Sequence, residues 1–139
     1  MNIDVKCKEI VESALPDFTY VFADWYDADR LVSKLPLPCV VRVLPVGGVL
    51  SFKNGRVSDT ENGLIAFLDR VPKDATGDEQ AAVYNRMKQA AVTFIDAAQR
   101  SGYFEPITAA TYGVIYEQLS TIVSGVSIEV ALTEVPVCL

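Results

Sequence analysis

Residues 76–102, TGDEQAAVYNRMKQAAVTFIDAAQRSG, decide the fold, because their hydrophobic periodicity is that of a helix of about six turns. The apolar residues recur at helical spacing along one line: Tyr84, Met87, Ala91, Phe94, Ile95 and Ala98. The polar residues lie mostly off that line: Glu79, Asn85, Lys88, Gln89, Asp96 and Gln99. The sequence therefore predicts a long amphipathic helix with one apolar face and one solvated face.

Both ends of this helix carry residues that start or stop helices. The Thr76 side chain can accept a hydrogen bond from the backbone of Glu79 while Glu79 reaches back, which is a capping box. Arg100 gives a basic last turn, and Gly102 can adopt the left-handed conformation that ends a helix. We expect Phe94, at the middle of the apolar stripe, to be fully buried.

The composition is that of a globular protein. The chain has 139 residues, of which 50% are hydrophobic, and this is enough for a single domain over residues 1–139 with a continuous core. Its 18 acidic residues outnumber the 12 basic ones, so the net charge is −6. Because the phosphate backbone repels a negative chain, we expect no direct binding to nucleic acid.

The three cysteines, Cys7, Cys39 and Cys138, are far apart and form no C-x-x-C pair, which indicates reduced thiols in a cytoplasmic setting. Cys7 is expected at the surface of a helix, and none of the three has the surroundings of a nucleophile. The N-terminus has no basic region followed by an apolar run, and no apolar stretch reaches 18 residues. We therefore expect neither export by a signal peptide nor a membrane span.

The remaining elements are shorter. They are a helix within residues 1–15, an aromatic strand at 18–26, a helical turn at 27–34, a strand at 39–44, a strand at 62–71, and two closing strands at 112–119 and 126–133. Asp27 is placed to cap the helical turn. Arg42 alone interrupts the apolar run of residues 39–44, which is typical of a central strand. The closing strands alternate in polarity and are expected to be antiparallel neighbours.

Residues 45–62 carry turn chemistry. Gly47 and Gly48 are predicted to be turn residues. Asn54 and Gly55 stand between two short alternating runs and both tolerate positive φ, so a hairpin is predicted to turn there. The hairpin also holds the apolar residues Val46, Val49, Leu50 and Phe52, and nothing nearby in the sequence covers them. We therefore expect a subunit interface formed by Val49, Leu50, Phe52, Asn54 and Gly55.

The order of these elements predicts an α+β fold. A mostly antiparallel or mixed sheet, with the long helix and the N-terminal helix packed on one face, buries the apolar surfaces with the fewest elements.

The sequence holds no pattern of a catalytic or cofactor site. The chain has no histidine, which excludes Ser-His, Cys-His and His-metal arrangements, and it has no glycine-rich phosphate loop. Asp24, Asp27 and Asp29 could hold a hard cation, but helix capping in a solvated turn is the favoured interpretation. Trp25 could stack on a ligand, but packing in the core or at an interface is favoured. We expect no catalytic residue, cofactor or metal.

Two segments and the overall layout resemble a known family. One is the proline-entered strand 37–44, LPCVVRVL, and the other is the closing segment 124–132, SGVSIEVAL, which is similar to a Gly-Val-x-hydrophobic final strand. The layout is similar to that of the tail terminator and tail-completion proteins of long-tailed bacteriophages and prophages. The resemblance implies a non-enzymatic virion subunit that forms a homo-oligomeric ring at the tail tube or head-tail junction and contacts other tail or head-tail proteins. It also implies assembly in the bacterial cytoplasm and a final place in the virion tail.

A second function class remains open from the residues themselves. A cytoplasmic, non-enzymatic binding or regulatory domain, which recognises a small ligand or a protein partner, would have the same lack of catalytic groups.

Overall fold

The computed structural model describes residues 2–32, 34, 36–72, 74–118 and 123–138. Within these ranges the chain forms three helices and six strands. In chain order they are α1 (Ile3–Ala14), β1 (Thr19–Ala23), α2 (Trp25–Val32), β2 (Cys39–Lys53), β3 (Arg56–Arg70), α3 (Gly77–Arg100), β4 (Thr111–Gln118), β5 (Val123–Thr133) and β6 (Val137–Cys138). The predicted α+β class is confirmed.

The strands form one mixed sheet. Its order is β1-β2-β3-β5-β4, and the short β6 pairs with β3. β1 and β2 are parallel, whereas the other pairings are antiparallel. The predicted antiparallel pair at residues 112–119 and 126–133 corresponds to β4 and β5 and is confirmed, apart from Leu119, which lies outside the described residues.

The long helix α3 has the boundaries and the caps that the sequence predicts. The Thr76 hydroxyl accepts from the backbone N–H of Glu79 at 3.2 Å, and the Glu79 carboxylate accepts from the backbone N–H of Thr76 at 3.1 Å. Gly102 has a φ of +76°, which is the predicted left-handed stop. Phe94 is fully buried, and its ring lies edge-on to that of Phe67 in β3 with 6.0 Å between the centroids.

α1 and α3 pack on the same face of the sheet, which is called the helical face below. The buried residues shared by this layer are Ile3, Cys7, Ile10 and Val11 of α1, Val83, Met87, Ala91 and Phe94 of α3, and Ile65, Phe67, Val126, Ile128, Val130 and Leu132 of the sheet. The predicted packing of both helices on one face is confirmed.

α2 lies on the opposite face, over β1 and β2. Its Ala28 joins a second buried cluster, which includes Val21, Cys39 and Val41 of those two strands. Trp25 packs against this cluster, as expected for a core residue.

The prediction that Asp27 caps α2 is wrong. The helix begins at Trp25, and the Asp24 carboxylate accepts a hydrogen bond from the backbone N–H of Asp27 at 2.8 Å. Asp24 is therefore the N-cap residue of α2. The strand predicted at residues 18–26 ends before Asp24 for the same reason. Ser33 of the predicted helical turn lies outside the described residues.

β2 and β3 are longer than the sequence predicts. Gly47 and Gly48 are not turn residues, because both lie inside β2, and the strand predicted from residue 62 is the second half of β3. The register shifts between Val43 and Gly47, which is typical of a β-bulge. A Cβ atom at Gly48 would lie 2.0 Å from the carbonyl oxygen of Thr60, so this position has no room for a side chain.

Candidate functional site

The hairpin of β2 and β3 extends past the end of β1. Among the described residues, β1 pairs with β2 from Cys39 to Val43, and the outer edge of β2 beyond Leu44 has no strand partner. Each strand of the hairpin has 15 residues. At about 3.4 Å per residue such a strand is about 50 Å long. Residues 45–62 therefore extend the sheet beyond β1 and are called the hairpin arm below. On its β3 side this arm pairs with β6 at Arg56 and Val57 and with β5 from Thr60 onward, whereas its β2 edge is open.

The tip of the hairpin arm is a two-residue turn. Lys53 and Arg56 are the last paired residues, and Asn54 and Gly55 between them have φ angles of +52° and +74°. Positive φ at both central positions is the geometry of a type I′ turn, which matches the right-handed twist of the strands. The predicted turn at Asn54 is confirmed.

Three apolar side chains of the hairpin arm are more than half exposed: Val49, Leu50 and Phe52. Phe52 is 66% exposed, which is unusual for a phenylalanine. Leu50 pairs with Asp59, and alternation along β3 places Asp59 on the same side as buried Ile65. Leu50 and Phe52 therefore lie on the helical face, and Val49 lies on the opposite one.

The base of the hairpin arm holds a buried guanidinium. Arg42 is 3% exposed, forms an ion pair with Glu61, and lies 5.0 Å from the centroid of the Phe22 ring. Burial acts to lower the pKa of Arg42, but the hydrogen bond to Glu61 and the nearby negative groups raise it, and the net shift is upward. Arg42 therefore stays charged and anchors the arm to the covered part of the sheet.

Further carboxylates lie near this pair. Partial burial raises the pKa of Asp59, and the negative charges of Glu61 and Glu134 raise it further. Glu134 forms an ion pair with Lys6 of α1, and its backbone carbonyl accepts from the Ser58 hydroxyl at 3.1 Å. These contacts connect α1, through Glu134, to the outer half of the hairpin arm.

Asp24 and Asp27, from the aspartate cluster at residues 24–29, interact with neighbouring residues of the chain. Asp24 caps α2, and Asp27 lies 3.5 Å from the guanidinium of Arg30. Among the described residues, no group of three or more metal-ligating side chains is arranged to hold an ion.

The prediction that Cys7 is a surface thiol is wrong. Cys7 and Cys39 are both fully buried, Cys7 on the sheet-facing side of α1 and Cys39 at the start of β2. Burial raises the pKa of each thiol to about 12, so neither is a thiolate near neutral pH. The side chain of Cys138 lies outside the described residues.

A second exposed apolar surface was not found from the sequence. Tyr112 and Val114 of β4 and Val92 of α3 are each more than half exposed. Lys88, one helical turn before Val92, lies with its ammonium group 4.6 Å from the centroid of the Tyr112 ring, which brings this side of α3 next to β4. Val92, Tyr112 and Val114 are called the β4 edge patch below. The alternation of apolar residues in β4 was visible in the sequence. The position of β4 at the edge of the sheet was not, because it depends on the strand order.

The five predicted interface residues all lie on the hairpin arm: Leu50 and Phe52 on its helical face, Val49 on the opposite face, and Asn54 and Gly55 at its tip. No protein-family model matches the chain, and no curated protein shows significant sequence similarity to it. Among the described residues, no helix is both long enough and apolar enough to span a membrane.

Proposed function

We propose that this protein is a non-enzymatic structural subunit that assembles with copies of itself through the hairpin arm. The observation that carries the proposal is the exposure of Val49, Leu50 and Phe52 on a long, well-formed hairpin. Exposed apolar side chains clustered on a projecting element mark sites of association, whereas scattered ones do not.

The setting that we propose for this subunit is a bacteriophage or prophage virion, as a tail terminator or tail-completion protein. A projecting element that contacts a different surface on the next copy gives a ring when the rotation between copies closes. A ring of this kind fits the end of a tail tube or a head-tail junction, where it would contact other virion proteins. The protein would assemble in the bacterial cytoplasm and end in the virion tail.

The net charge sets the conditions for assembly. Each chain carries a formal charge of −6, so copies repel one another at low ionic strength. At 0.1 M salt, screening limits the reach of this repulsion to about 10 Å. Association of the free subunit should therefore strengthen as salt is added. In the virion, we expect the full ring to form on the tail tube.

Light scattering across protein concentration and salt tests the self-association. We expect the average mass to rise with both variables and Phe52→Asp to abolish the rise, because a carboxylate cannot be buried in an apolar contact. Tyr26→Asp is the matched control, since Tyr26 is an exposed aromatic residue of α2, away from the hairpin arm. A strict monomer in high salt, unchanged by Phe52→Asp, would contradict the proposal.

The virion setting has its own test. We expect negative-stain electron microscopy of the protein mixed with tail tubes to show rings at tube ends, and the gene to lie beside portal, major tail and tape-measure genes. Self-association without tube binding and without such neighbours would reject the virion setting while keeping the hairpin contact.

One observation favours the alternative of a binding or regulatory domain. A cleft of about 510 Å³ lies beside the tip of the hairpin arm, lined by Ser51, Lys53, Asn54, Arg56, Ser58 and Pro136. Two cationic side chains beside hydroxyl groups could bind an anionic small molecule or an acidic peptide. Calorimetric titration with inorganic phosphate and with an acidic peptide distinguishes the two functions, because assembly through the apolar residues predicts no heat from either.

A further inference from the structure

Besides the outer edges of β1 and β6, two stretches of sheet edge lack a strand partner among the described residues. One is the outer edge of β2 along the hairpin arm, after β1 ends, and the other is the outer edge of β4. Both present backbone N–H and C=O groups that can pair with another strand. The two edges are at opposite sides of the same sheet, so one copy can use both at once.

The two edges expose apolar side chains on the same side of the sheet. Leu50 and Phe52 lie on the helical face of the hairpin arm. Tyr112 and Val114 pair with Ile128 and Val126, which belong to the core under α1 and α3, so they lie on the helical face as well. A sheet that continued from one copy into the next would bring the two apolar surfaces side by side.

The strand directions allow this continuation. β2 is antiparallel to β3, β3 to β5, and β5 to β4, so β2 and β4 of one chain run in opposite directions. When β2 of one copy is placed along β4 of the next with the same face upward, the pairing is antiparallel. Antiparallel addition of a strand to an exposed edge is a recurrent mode of protein recognition.

We propose that the acceptor for the hairpin arm is the β4 edge of a second copy, with Phe52 beside Tyr112 and Leu50 beside Val114. This inference rests on the proposed function and names the surface that receives the arm. The register is the one that places both apolar residues of the arm next to both apolar residues of β4. Phe52 would also approach Val92 of the acceptor, which completes the β4 edge patch.

Charge complementarity supports this register on the other face. It puts Lys53 of the arm beside Thr111, and Thr111 pairs with Glu129 of β5 within the acceptor. Lys53 and Glu129 form no salt bridge within the described part of the chain. They would be two strand spacings, about 10 Å, apart at the backbone, which two long side chains can bridge.

The contact is heterologous, since the arm and the β4 edge are different surfaces. A two-fold pairing of two hairpin arms would cover Leu50 and Phe52 but leave Tyr112 and Val114 exposed. The head-to-tail pairing covers both surfaces on every copy of a closed ring.

A mixing experiment with two variants tests the assignment. Phe52→Asp disables the arm, and Val114→Asp disables the acceptor edge, at a residue that is 53% exposed. We expect each variant alone to be monomeric in sedimentation velocity. An equal mixture should form a species of twice the monomer mass and nothing larger, because one intact arm and one intact edge remain. Circular dichroism checks that both variants keep the fold.

Each outcome has a defined meaning. If the wild type stays monomeric, or if Phe52→Asp assembles normally, the proposed function fails. If Phe52→Asp blocks assembly but Val114→Asp assembles as the wild type does, the hairpin contact stands and the β4 acceptor is rejected. If both variants are monomeric and their mixture is as well, the head-to-tail contact between the arm and the β4 edge is rejected.

A charge exchange at two exposed positions keeps the proposal testable should Val114→Asp fail to fold. Lys53→Glu and Glu129→Lys should each weaken association by roughly threefold to tenfold, and the double variant should restore it. Lys34→Glu is the matched control, since Lys34 is exposed and lies away from both surfaces. Equal weakening by all three single variants, without restoration in the double variant, would overturn the register.

Discussion

Arg42 and Glu61 form an ion pair across the hairpin, 19 residues apart in sequence, with the guanidinium 3% exposed. Arg42 pairs in the backbone register with Ile65, so Glu61 lies four residues nearer the tip than the direct partner of Arg42. The side chains therefore bridge the bulge in β2 and join the covered part of the sheet to the hairpin arm.

Removing the acid of this pair should destabilise the protein. Glu61→Ala leaves a buried guanidinium without its carboxylate, and we expect the free energy of unfolding to fall by about 2–4 kcal/mol. Glu61→Gln keeps one acceptor and should lose less. Urea denaturation measures both, with the exposed Glu12→Ala as a control that should change by less than about 0.5 kcal/mol. An equal loss for Glu61→Ala and the control would show that Arg42 does not depend on Glu61.

The buried ring on α3 should carry a large part of the core. Phe94→Ala removes the edge-on contact with Phe67 and leaves a cavity, so we expect a loss of about 3–5 kcal/mol. Asn85→Ala, on the exposed side of the same helix, is the control. Denaturant midpoints that are the same for the two variants would show that the helix does not hold the core in this way.

Asp59 should make the stability of the protein fall as the pH rises above the acid range. Its pKa in the folded state is raised above its ordinary value of 3.8, so folding favours the protonated form. The stabilising contribution is present below pH 3.8 and is lost as the pH rises through the folded-state pKa. Asp59→Asn should therefore raise the melting temperature at pH 7 and have a smaller effect toward pH 3.8. A variant that is less stable than the wild type at pH 7 would contradict this assignment.

The two buried thiols should resist modification. In a Cys138→Ser background, we expect Cys7 and Cys39 to remain unlabelled by iodoacetamide at pH 8 and to react in denaturant, because burial holds their pKa values at about 12. Mass spectrometry counts the labels. Rapid labelling of either thiol in the folded protein would indicate that the layer beneath α1 or the start of β2 opens readily.

Metal ions should leave the stability unchanged. Asp24 and Asp27 are engaged as a helix cap and in an ion pair, so we expect a chelator not to shift the melting temperature. Millimolar calcium or magnesium is the converse test. A reproducible rise that disappears in an Asp24/Asp27/Asp29→Asn variant would establish a cation site there.

The elements predicted correctly from the sequence are those with local signals. α3 was predicted with both ends because the Thr76–Glu79 capping box and Gly102 act within one turn of the chain. The turn at Asn54 and Gly55 was predicted because positive φ is a property of those two residues.

The features that were missed depend on distant parts of the chain. Gly47 and Gly48 have the composition of a turn, yet pairing with β3 keeps them extended, and the Thr60 carbonyl needs the space at Gly48. Cys7 lies between two lysines, but its buried position depends on the docking of α1 against the sheet. The start of α2 is different, because Asp24 is a local capping signal that could have been recognised in the sequence.

One surface of the candidate interface could be predicted from the sequence and the other could not. The apolar residues of the hairpin arm could be identified from residues 45–62 alone, whereas the β4 edge patch could not. Tyr112 and Val114 alternate as buried core residues do, and their exposure follows from the place of β4 at the end of the strand order.

The unbroken length of β3 has a mechanical consequence. β3 pairs with β5 at eleven consecutive positions, from Thr60 within the hairpin arm to Arg70. A pull on the tip along the strand axis would load all of those backbone hydrogen bonds in shear at the same time, instead of opening them one by one as a peeling force does. Tension applied to the tip of the hairpin arm would thus pass into β3, which also contacts α3.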